Sequence, residues 1–408
     1  MKKNIIKAFA GDLMYSIIAL MAFNGAMQLV VYPYMTKKMG AGPWGDVLTI
    51  ISIVAIVACS FGSGANYSHM VVSTRHKGVS GDYNIFLAFT ALLSLPVSFA
   101  AMFVIKNVSV GTFVGIFLLM VMTTLRYYGD VDFRLRVNYK EYMFYYFVIT
   151  AGYVLGALSY SCIGSWAFTL ILGESVATIF LLFKGQIYKR PLFKRSEWFK
   201  ENILSMLTLS GAYLVANLVL NSDRILLNIF VSSEAVTVFY TATLIGKIVA
   251  LLTSPLNGVI TGHLAKYEGN LTKKAVSIMT AVLLGVMAVV CAGSTIVSYL
   301  FVMVMYPDLL EAAKPLFIVA NAGQILYFVS ETFMVILLRF AEENMQLRIN
   351  GVYAVLFYVC AIPSVILFKT MGLAWAVLAA NALRFIIVVA VAFRTASRGG
   401  EAVSQENS

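Results

Sequence analysis

The sequence predicts an all-α polytopic membrane protein with about twelve transmembrane helices. Of the 408 residues, 60% are hydrophobic and 12% are charged, and this charged fraction is about half that of soluble domains. Apolar segments long enough to cross a bilayer, each about 20 residues, recur along the whole chain. No hydrophilic stretch between them exceeds about 20 residues, which is too short for a separate folded domain.

Twelve apolar segments follow one another along the chain. Their predicted bounds are residues 13–35, 46–70, 84–105, 108–127, 143–162, 164–183, 205–231, 236–262, 276–304, 314–338, 350–368 and 372–393. The first follows a basic start like a signal peptide, but it runs on to Tyr34 without a small-residue cleavage site, so we interpret it as a retained span. The four cysteines show no paired spacing, so neither a disulfide framework nor a metal site is predicted.

The basic residues predict the orientation of the chain. With the N-terminus inside, the inner loops and termini hold 22 of the 30 Lys and Arg residues, Arg126 among them, and the outer loops hold five. Such an excess is typical of cytoplasmic loops, so both termini are expected in the cytoplasm. The net charge of +11 is therefore attributed to membrane orientation, and no nucleic-acid partner is expected.

The longest inner connection divides the chain. Residues 184–203 are predicted as a basic cytoplasmic linker against anionic lipid head groups, between a six-helix lobe at 1–183 and a second at 204–396, with a cytoplasmic tail at 397–408. A weak internal repeat, at an offset of 192 residues, relates the exits of the first and seventh helices. Repeated halves around a midplane site are typical of secondary transporters, so we expect two lobes around a central cavity.

Six charged residues lie deep in the predicted spans. A charge at the bilayer centre costs about 2.5 to 3.5 kcal/mol on insertion scales, so these side chains must face the bundle interior or each other. They are Glu174, Asp223, Arg224, Lys247, Glu331 and Arg384.

Polar side chains recur at helical spacing on several spans. They are Ser210, Tyr213, Asn217, Asn221, Arg224 and Asn228 on the seventh span, Tyr240, Thr243, Lys247, Ser254, Asn257 and Thr261 on the eighth, Asn321, Gln324, Tyr327 and Glu331 on the tenth, and Asn24 and Gln28 on the first. Two interpretations remain open: hydrogen bonding between helices in a dry bundle, or the lining of a water-filled cavity. Two adjacent polar spans that each carry a cation favour the cavity.

The charges also allow more than one role. Asp223 and Arg224 either neutralise each other or contribute to a ligand site. Lys247 has no carboxylate three or four residues away, so it requires a partner from another helix or an anionic ligand. Glu174 and Glu331 are candidate partners, or they bind and release protons.

The residue types suit a glycan and a phosphate more than a catalytic reaction. Amides offer both donors and acceptors, and tyrosine combines an apolar face with a polar edge, as sugar binding requires. A cation in a wet cavity suits a phosphate. The sequence contains no nucleophile elbow, no metal-spaced histidine cluster and no phosphate-binding glycine loop.

Three stretches carry a family resemblance. They are VVYPYMTKKMGAGPWGDVL, the region NSDRILLNIFVSSEAVTVFYTATLIGKIVALLTSPLNGVI and YPDLLEAAKPLFIVANAG. The chain resembles the O-antigen (Wzx-type) repeat-unit flippases of the multidrug/oligosaccharidyl-lipid/polysaccharide (MOP) superfamily. The resemblance implies that an undecaprenyl-pyrophosphate-linked oligosaccharide moves between leaflets of the bacterial cytoplasmic membrane, through a cationic cavity between two lobes.

Under this hypothesis each group of polar residues has a role. Arg224, Lys247 and Arg384 bind the pyrophosphate, and Glu174, Asp223 and Glu331 are candidates for ion coupling. The glycan path is expected to include Asn24, Gln28, Tyr213, Asn217, Asn221, Tyr240, Asn257, Asn321, Gln324 and Tyr327. No cofactor is expected beyond a proton or sodium gradient, and the expected partners are the lipid-linked substrate, membrane lipids, the polysaccharide polymerase and its chain-length regulator.

Two other classes are alternatives. Multidrug/cation antiporters of the superfamily use an acid on the first helix, but no carboxylate lies between Leu13 and Tyr34. The related lipid II flippase carries two further C-terminal helices, whereas a short polar tail is expected here. A membrane-embedded polysaccharide polymerase or acyltransferase would need a large external loop or buried catalytic groups, and the longest outer connection is about 10 residues, a usual length for a plain loop.

Overall fold

The structure is a computed structural model, and it describes residues 2–73, 80–187, 192–264, 269, 271–337, 339–340 and 345–406. These residues form helices and turns and contain no strand. The predicted all-α class is confirmed.

The helices coincide with the apolar segments. They are α1 (Lys2–Ala26), a π-helical turn (Met27–Val31), α2 (Tyr32–Met39), α3 (Ala41–Val72), α4 (Ser80–Val104), α5 (Val110–Leu135), α6 (Tyr139–Ile163), α7 (Trp166–Lys184), α8 (Phe199–Phe230), α9 (Ser233–Leu264), α10 (Lys273–Met305), α11 (Leu310–Ala313), α12 (Phe317–Leu337) and α13 (Met345–Glu406). The last two predicted segments both lie in α13, which is interrupted at Lys369 (φ 53°, ψ −137°). Within the described ranges, ten helical stretches are long and apolar enough to cross a membrane, as expected of a multi-pass membrane protein.

The chain forms two compact units, Met1–Ile229 and Phe230–Ser408. Helix α8, the seventh span, belongs to the first unit by its contacts. The predicted lobe and linker boundaries, at 183, 203 and 396, stay predictions.

Short turns between spans contain residues that suit them. The Ser109 hydroxyl accepts from the Thr112 N–H at 3.1 Å at the start of α5, and the Ser165 hydroxyl accepts from the Phe168 N–H at 3.3 Å at the start of α7. Both are N-caps, which satisfy donors that the first helical turn leaves free. Gly164, which ends α6, has a φ of 68°, a conformation that favours glycine.

Helices α6 and α7 approach closely because each of them presents a glycine to the other helix. A Cβ on Gly173 would lie 2.3 Å from the ring of Tyr153, and one on Gly156 would lie 2.3 Å from the carbonyl oxygen of Thr169. The Thr169 hydroxyl donates to the carbonyl of Gly156 at 3.0 Å. Small residues at a helix interface allow such backbone contact in membranes, and here they bring the residue after Gly173, Glu174, next to α6.

The described part of the connection between α7 and α8 is fastened to the first unit. Asp82 at the start of α4 accepts hydrogen bonds from the backbone N–H and hydroxyl of Ser196 and from the Asn202 amide. Asp132 near the end of α5 accepts from the Gln186 N–H at 2.8 Å. Two buried carboxylates, those of Asp82 and Asp132, therefore hold the described part of this connection against the first unit.

Candidate functional site

A buried ion pair joins α5 and α7 in the first unit. The Nε atom of Arg126 donates to both carboxylate oxygens of Glu174, at 2.9 and 2.8 Å. The Tyr153 hydroxyl on α6 donates to the same carboxylate at 2.6 Å. The side chains of Arg126 and Glu174 are only 7% and 1% exposed. Burying each ion costs several kcal/mol of hydration free energy, and the attraction between the paired charges can offset this cost. The two charges therefore depend on each other.

Arg126 falls at the end of the fourth predicted span, 108–127, but is counted above with the inner-loop cations, and the structure corrects that count. Helix α5 continues to Leu135, and Arg126 lies within it. The extension of α5 beyond residue 127 contains polar side chains, and these have hydrogen-bond partners. The Tyr146 hydroxyl, for example, donates to Asp130 at 3.0 Å. Averaged hydropathy does not register such satisfied groups. The need of Glu174 for a cationic partner was the signal in the sequence that could have identified Arg126.

A cavity of about 190 Å³ lies beside this ion pair, within the first unit. Arg126 and Glu174 both line it. The guanidinium lies over the rings of Tyr127 and Phe23, at 4.5 and 5.5 Å, and it contacts Glu174 through Nε alone. Besides the ion pair, the polar residues of the lining are Asn24, Tyr32, Thr123, Tyr127 and Tyr153.

The first span changes its winding at this cavity. Residues Met27–Val31 form a π-helical turn, which closes with a hydrogen bond from the Tyr32 N–H to the carbonyl of Met27. Pro33 accounts for the change, because proline lacks an N–H and its ring clashes with the carbonyl four residues earlier. Both Met27 and Tyr32 line the cavity, and π-helical turns are frequent at functional sites.

The polar face of α8 is bonded in part to α3. The Asn217 amide donates to the Ser60 hydroxyl at 3.2 Å, and Nη1 of Arg224 donates to the Ser52 hydroxyl at 3.1 Å. The Asn221 amide donates to the carbonyl of Asn217 on its own helix at 3.0 Å. Hydrogen bonding between helices, one of the two interpretations of this face, is therefore present in the first unit.

The structure also describes the other predicted site residues of the first unit. Asp223 is buried and accepts from the Arg224 N–H at 2.9 Å. Asn24 lines the cavity, while its amide donates to a carbonyl of α1 at 2.8 Å. Oε1 of Gln28 is buried with no hydrogen-bond partner among the described residues, and Tyr213 is half-buried. Their predicted roles in coupling, phosphate binding and the glycan path stay predictions.

A second buried ion pair lies in the second unit. Arg384, which is fully buried, forms a short contact with Glu331, whose side chain is 23% exposed. Arg384 also donates to the Asn350 amide oxygen at 3.2 Å, and its guanidinium lies over the rings of Tyr327 and Tyr353 at 4.6 and 5.2 Å. The charge of Arg384 is thus balanced within its own unit.

Asn321 connects three helices of the second unit. Its amide donates to the Ser298 hydroxyl on α10, and its carbonyl oxygen accepts from the Gly246 N–H on α9, both at 2.9 Å. Lys247, the next residue on α9, is half-buried, as is Gln324 on α12. The remaining predicted glycan-path residues of this unit are Tyr240, which is buried, and Asn257 and Tyr327, which are half-buried.

Solved structures share this fold. The chain matches the lipid II flippase MurJ, in an inward closed conformation, with a TM-score of 0.70 and 10% identity over 94% of this chain and 90% of that chain. It matches an inward-facing multidrug resistance MATE family transporter of the MOP superfamily with a TM-score of 0.58 and 14% identity over 93% and 94% of the two chains. A mutant form of the Vibrio cholerae MATE transporter VcmN gives a TM-score of 0.60, 10% identity, and 97% and 98% coverage. The chain shares its fold with these flippase and transporter structures.

The similarity to these structures lies in the backbone fold. No protein-family model matches the chain, and no curated protein matches its sequence. The predicted resemblance is therefore confirmed for the superfamily fold, and its repeat-unit flippase branch stays a prediction.

The two ion pairs occupy related places in the chain. The first joins the fourth and sixth spans through Arg126 and Glu174, and the second joins the tenth and twelfth through Glu331 and Arg384. The order of the charges is reversed between the units, because the cation comes first in one and the acid in the other. An offset of six spans is what the predicted internal repeat requires.

Proposed function

We propose that this chain is a flippase for a lipid-linked oligosaccharide. It moves an undecaprenyl-pyrophosphate-linked repeat unit from the inner to the outer leaflet of the bacterial cytoplasmic membrane, by alternating access, for O-antigen or another surface polysaccharide. The observation that carries the proposal is the likeness to the lipid II flippase MurJ, whose TM-score of 0.70 exceeds the 0.60 and 0.58 of the two MATE transporters.

The chemistry of the chain supports this substrate class. A pyrophosphate requires cations, and we assign Arg224 and Lys247 to it. Arg384 contributes less, because it is fully buried and Glu331 balances its charge. The amide and tyrosine groups of α8, α9 and α12 offer donors and acceptors to sugar hydroxyls.

The proposal also fixes the cellular context. Both termini lie in the cytoplasm, and the polysaccharide polymerase and its chain-length regulator receive the repeat unit on the outer face. No cofactor is required beyond a proton or sodium gradient.

A flipping assay tests the proposal. The purified full chain is reconstituted into liposomes that contain undecaprenyl-pyrophosphate-linked oligosaccharide with a fluorophore on its glycan, and an impermeant quencher is added outside. We expect the inner-leaflet fluorescence, which stays protected in protein-free liposomes, to become quenched. Continued protection in liposomes that contain correctly inserted protein would contradict the proposal.

A multidrug/cation antiporter is the second candidate. The match to the Vibrio cholerae MATE transporter, which covers 97% and 98% of the two chains, favours it. The same liposomes, loaded with a cationic fluorescent dye under a proton or sodium gradient, distinguish the two functions. We expect no gradient-driven movement of the dye, and dye transport without lipid flipping would replace the first proposal by the second.

A further inference from the structure

We infer that the cavity beside Arg126 and Glu174 binds one neutral sugar residue of the transported glycan. This inference rests on the proposed function and names a subsite that lies wholly within the first unit.

The charge of the cavity favours a neutral ligand. Arg126 and Glu174 are the charged groups of its lining, and their side chains, 7% and 1% exposed, balance each other at 2.8 Å. A ligand with a phosphate, a carboxylate or an ammonium group would add an unbalanced charge to a buried site, which is costly. The pyrophosphate itself is thus excluded from this cavity, and an uncharged polar group is accepted.

The walls of the cavity suit a sugar ring. Aromatic side chains from several helices contribute to the lining, namely Phe23, Tyr32, Tyr127 and Tyr153. A sugar ring has apolar C–H faces and a rim of polar hydroxyl groups. Aromatic rings pack against the C–H faces, and polar side chains bind the hydroxyl groups of the rim. Apolar drugs would use the aromatic walls but would leave the ion pair without polar contacts.

Hydrogen-bonding capacity remains at the centre of the lining. The two Nη groups of Arg126 make no hydrogen bond to Glu174, which contacts Nε alone. The hydroxyl of Thr123, a buried lining residue, likewise makes none within the described chain. The planar guanidinium can donate two parallel hydrogen bonds, which matches neighbouring hydroxyl oxygens on a sugar ring.

The size of the cavity limits the ligand to one residue. Its volume is about 190 Å³, whereas pockets for drug-sized ligands hold about 300 to 1,000 Å³. A single sugar ring fits, and an oligosaccharide does not. Asn24, Ala55 and Tyr127 are lining residues that keep partial exposure.

A binding experiment separates this subsite from the rest of the substrate. The purified full chain in nanodiscs is titrated with undecaprenyl pyrophosphate, and with the same lipid carrying one glucose, galactose, N-acetylglucosamine, N-acetylgalactosamine or glucuronic acid residue. We expect at least one neutral sugar to tighten binding about tenfold over the bare lipid, the effect of hydrogen bonds to a charged group. Glucuronic acid should give no gain.

Two variants test whether the gain arises in this cavity. Ala55→Phe fills the space, and Thr123→Val removes a hydroxyl with little change of shape. We expect Ala55→Phe to abolish the gain from the sugar and Thr123→Val to reduce it, while both bind the bare lipid as the wild type does. Thr124→Val is the control, because Thr124 is buried one residue further along α5 and does not line the cavity.

The outcomes distinguish the inference from the function on which it rests. Equal affinity for the bare lipid and every neutral sugar lipid would overturn the subsite and leave the flippase proposal standing. A sugar gain that survives in both variants would place the sugar elsewhere and overturn the inference as well. If neither the bare lipid nor any sugar lipid binds, the proposed function fails, and the subsite with it.

Discussion

Arg126 and Glu174 show how a membrane bundle tolerates charge. The two side chains are nearly inaccessible, at 7% and 1% exposed, and Tyr153 adds a hydrogen bond of 2.6 Å to the carboxylate. An exposed pair such as Arg136 and Glu141, at 30% and 22% exposed, contributes at most about 1 kcal/mol because water screens it. The buried pair behaves differently, since loss of either member leaves an unbalanced charge.

A double-mutant cycle measures this dependence. We expect Arg126→Met alone to lower the free energy of unfolding by about 3–5 kcal/mol, because Glu174 is left as an uncompensated buried charge. The double variant Arg126→Met/Glu174→Gln should recover most of that loss, since glutamine is neutral and keeps an oxygen to accept from Tyr153. Thermal unfolding in detergent gives the comparison.

The exposed pair supplies the control for this cycle. Glu141→Gln should change stability by less than about 1 kcal/mol. Additive effects of the two buried substitutions would show that Arg126 and Glu174 do not interact as the distances indicate.

Lys247 tests the role of a single cation in transport. It lies near the middle of α9 and is half-buried. If its charge attracts the pyrophosphate, Lys247→Arg should retain more flipping activity than Lys247→Gln, and Lys247→Ala should abolish surface polysaccharide although the protein still inserts. Initial rates in the liposome assay rank the variants. Equal rates for arginine and glutamine would indicate a packing role instead.

At the scale of elements, the contact between α6 and α7 positions the ion pair. Gly173 immediately precedes Glu174, and the ring of Tyr153 occupies the space where a Cβ on Gly173 would lie, 2.3 Å away. The absence of a side chain at this residue therefore allows the hydroxyl of Tyr153 to reach the carboxylate.

One methyl group tests this geometry. We expect Gly173→Ala to lower stability by about 1–3 kcal/mol, because overpacking displaces the Tyr153 ring, and to slow transport. Gly285 on α10 provides a matched control, since a Cβ there meets nothing within 4 Å. Gly285→Ala should stabilise the helix by up to about 1 kcal/mol. Thermal unfolding of both variants decides, and an equal response at the two glycines would contradict the contact.

The elements also show how far sequence reasoning extends. Hydropathy located the long helices of the described residues, because a segment that crosses lipid must be apolar, helical and about 20 residues long. It ended the fourth span at residue 127, whereas α5 runs to Leu135, since Asp130 and Asp132 have partners on other segments. Helical periodicity identified the polar face of α8, but the contact of Asn217 with Ser60 depends on which helix covers that face. Long-range pairing of this kind cannot be derived from one sequence.

For the whole molecule, the distribution of charge separates orientation from function. Most basic residues are expected in inner loops, and placing Arg126 inside a span does not change the sign of that asymmetry. Four of the charges inside the spans pair within their own units, Arg126 with Glu174 between the fourth and sixth spans and Glu331 with Arg384 between the tenth and twelfth. The paired charges are candidates for energy coupling, and the side chains of the two acids differ in their exposure.

Glu331 is the better candidate for coupling to a proton gradient. A proton must reach the carboxylate from water, and the side chain of Glu331 is 23% exposed whereas that of Glu174 is 1% exposed. We expect a proton gradient to accelerate flipping in liposomes and Glu331→Gln, which stays neutral like a protonated acid, to flip at one rate with or without the gradient. Glu174→Gln should keep the response to the gradient at a lower overall rate. The double variant Glu331→Gln/Arg384→Met controls for the unbalanced charge. Acceleration by a sodium gradient alone, or a response that persists in Glu331→Gln, would exclude this coupling.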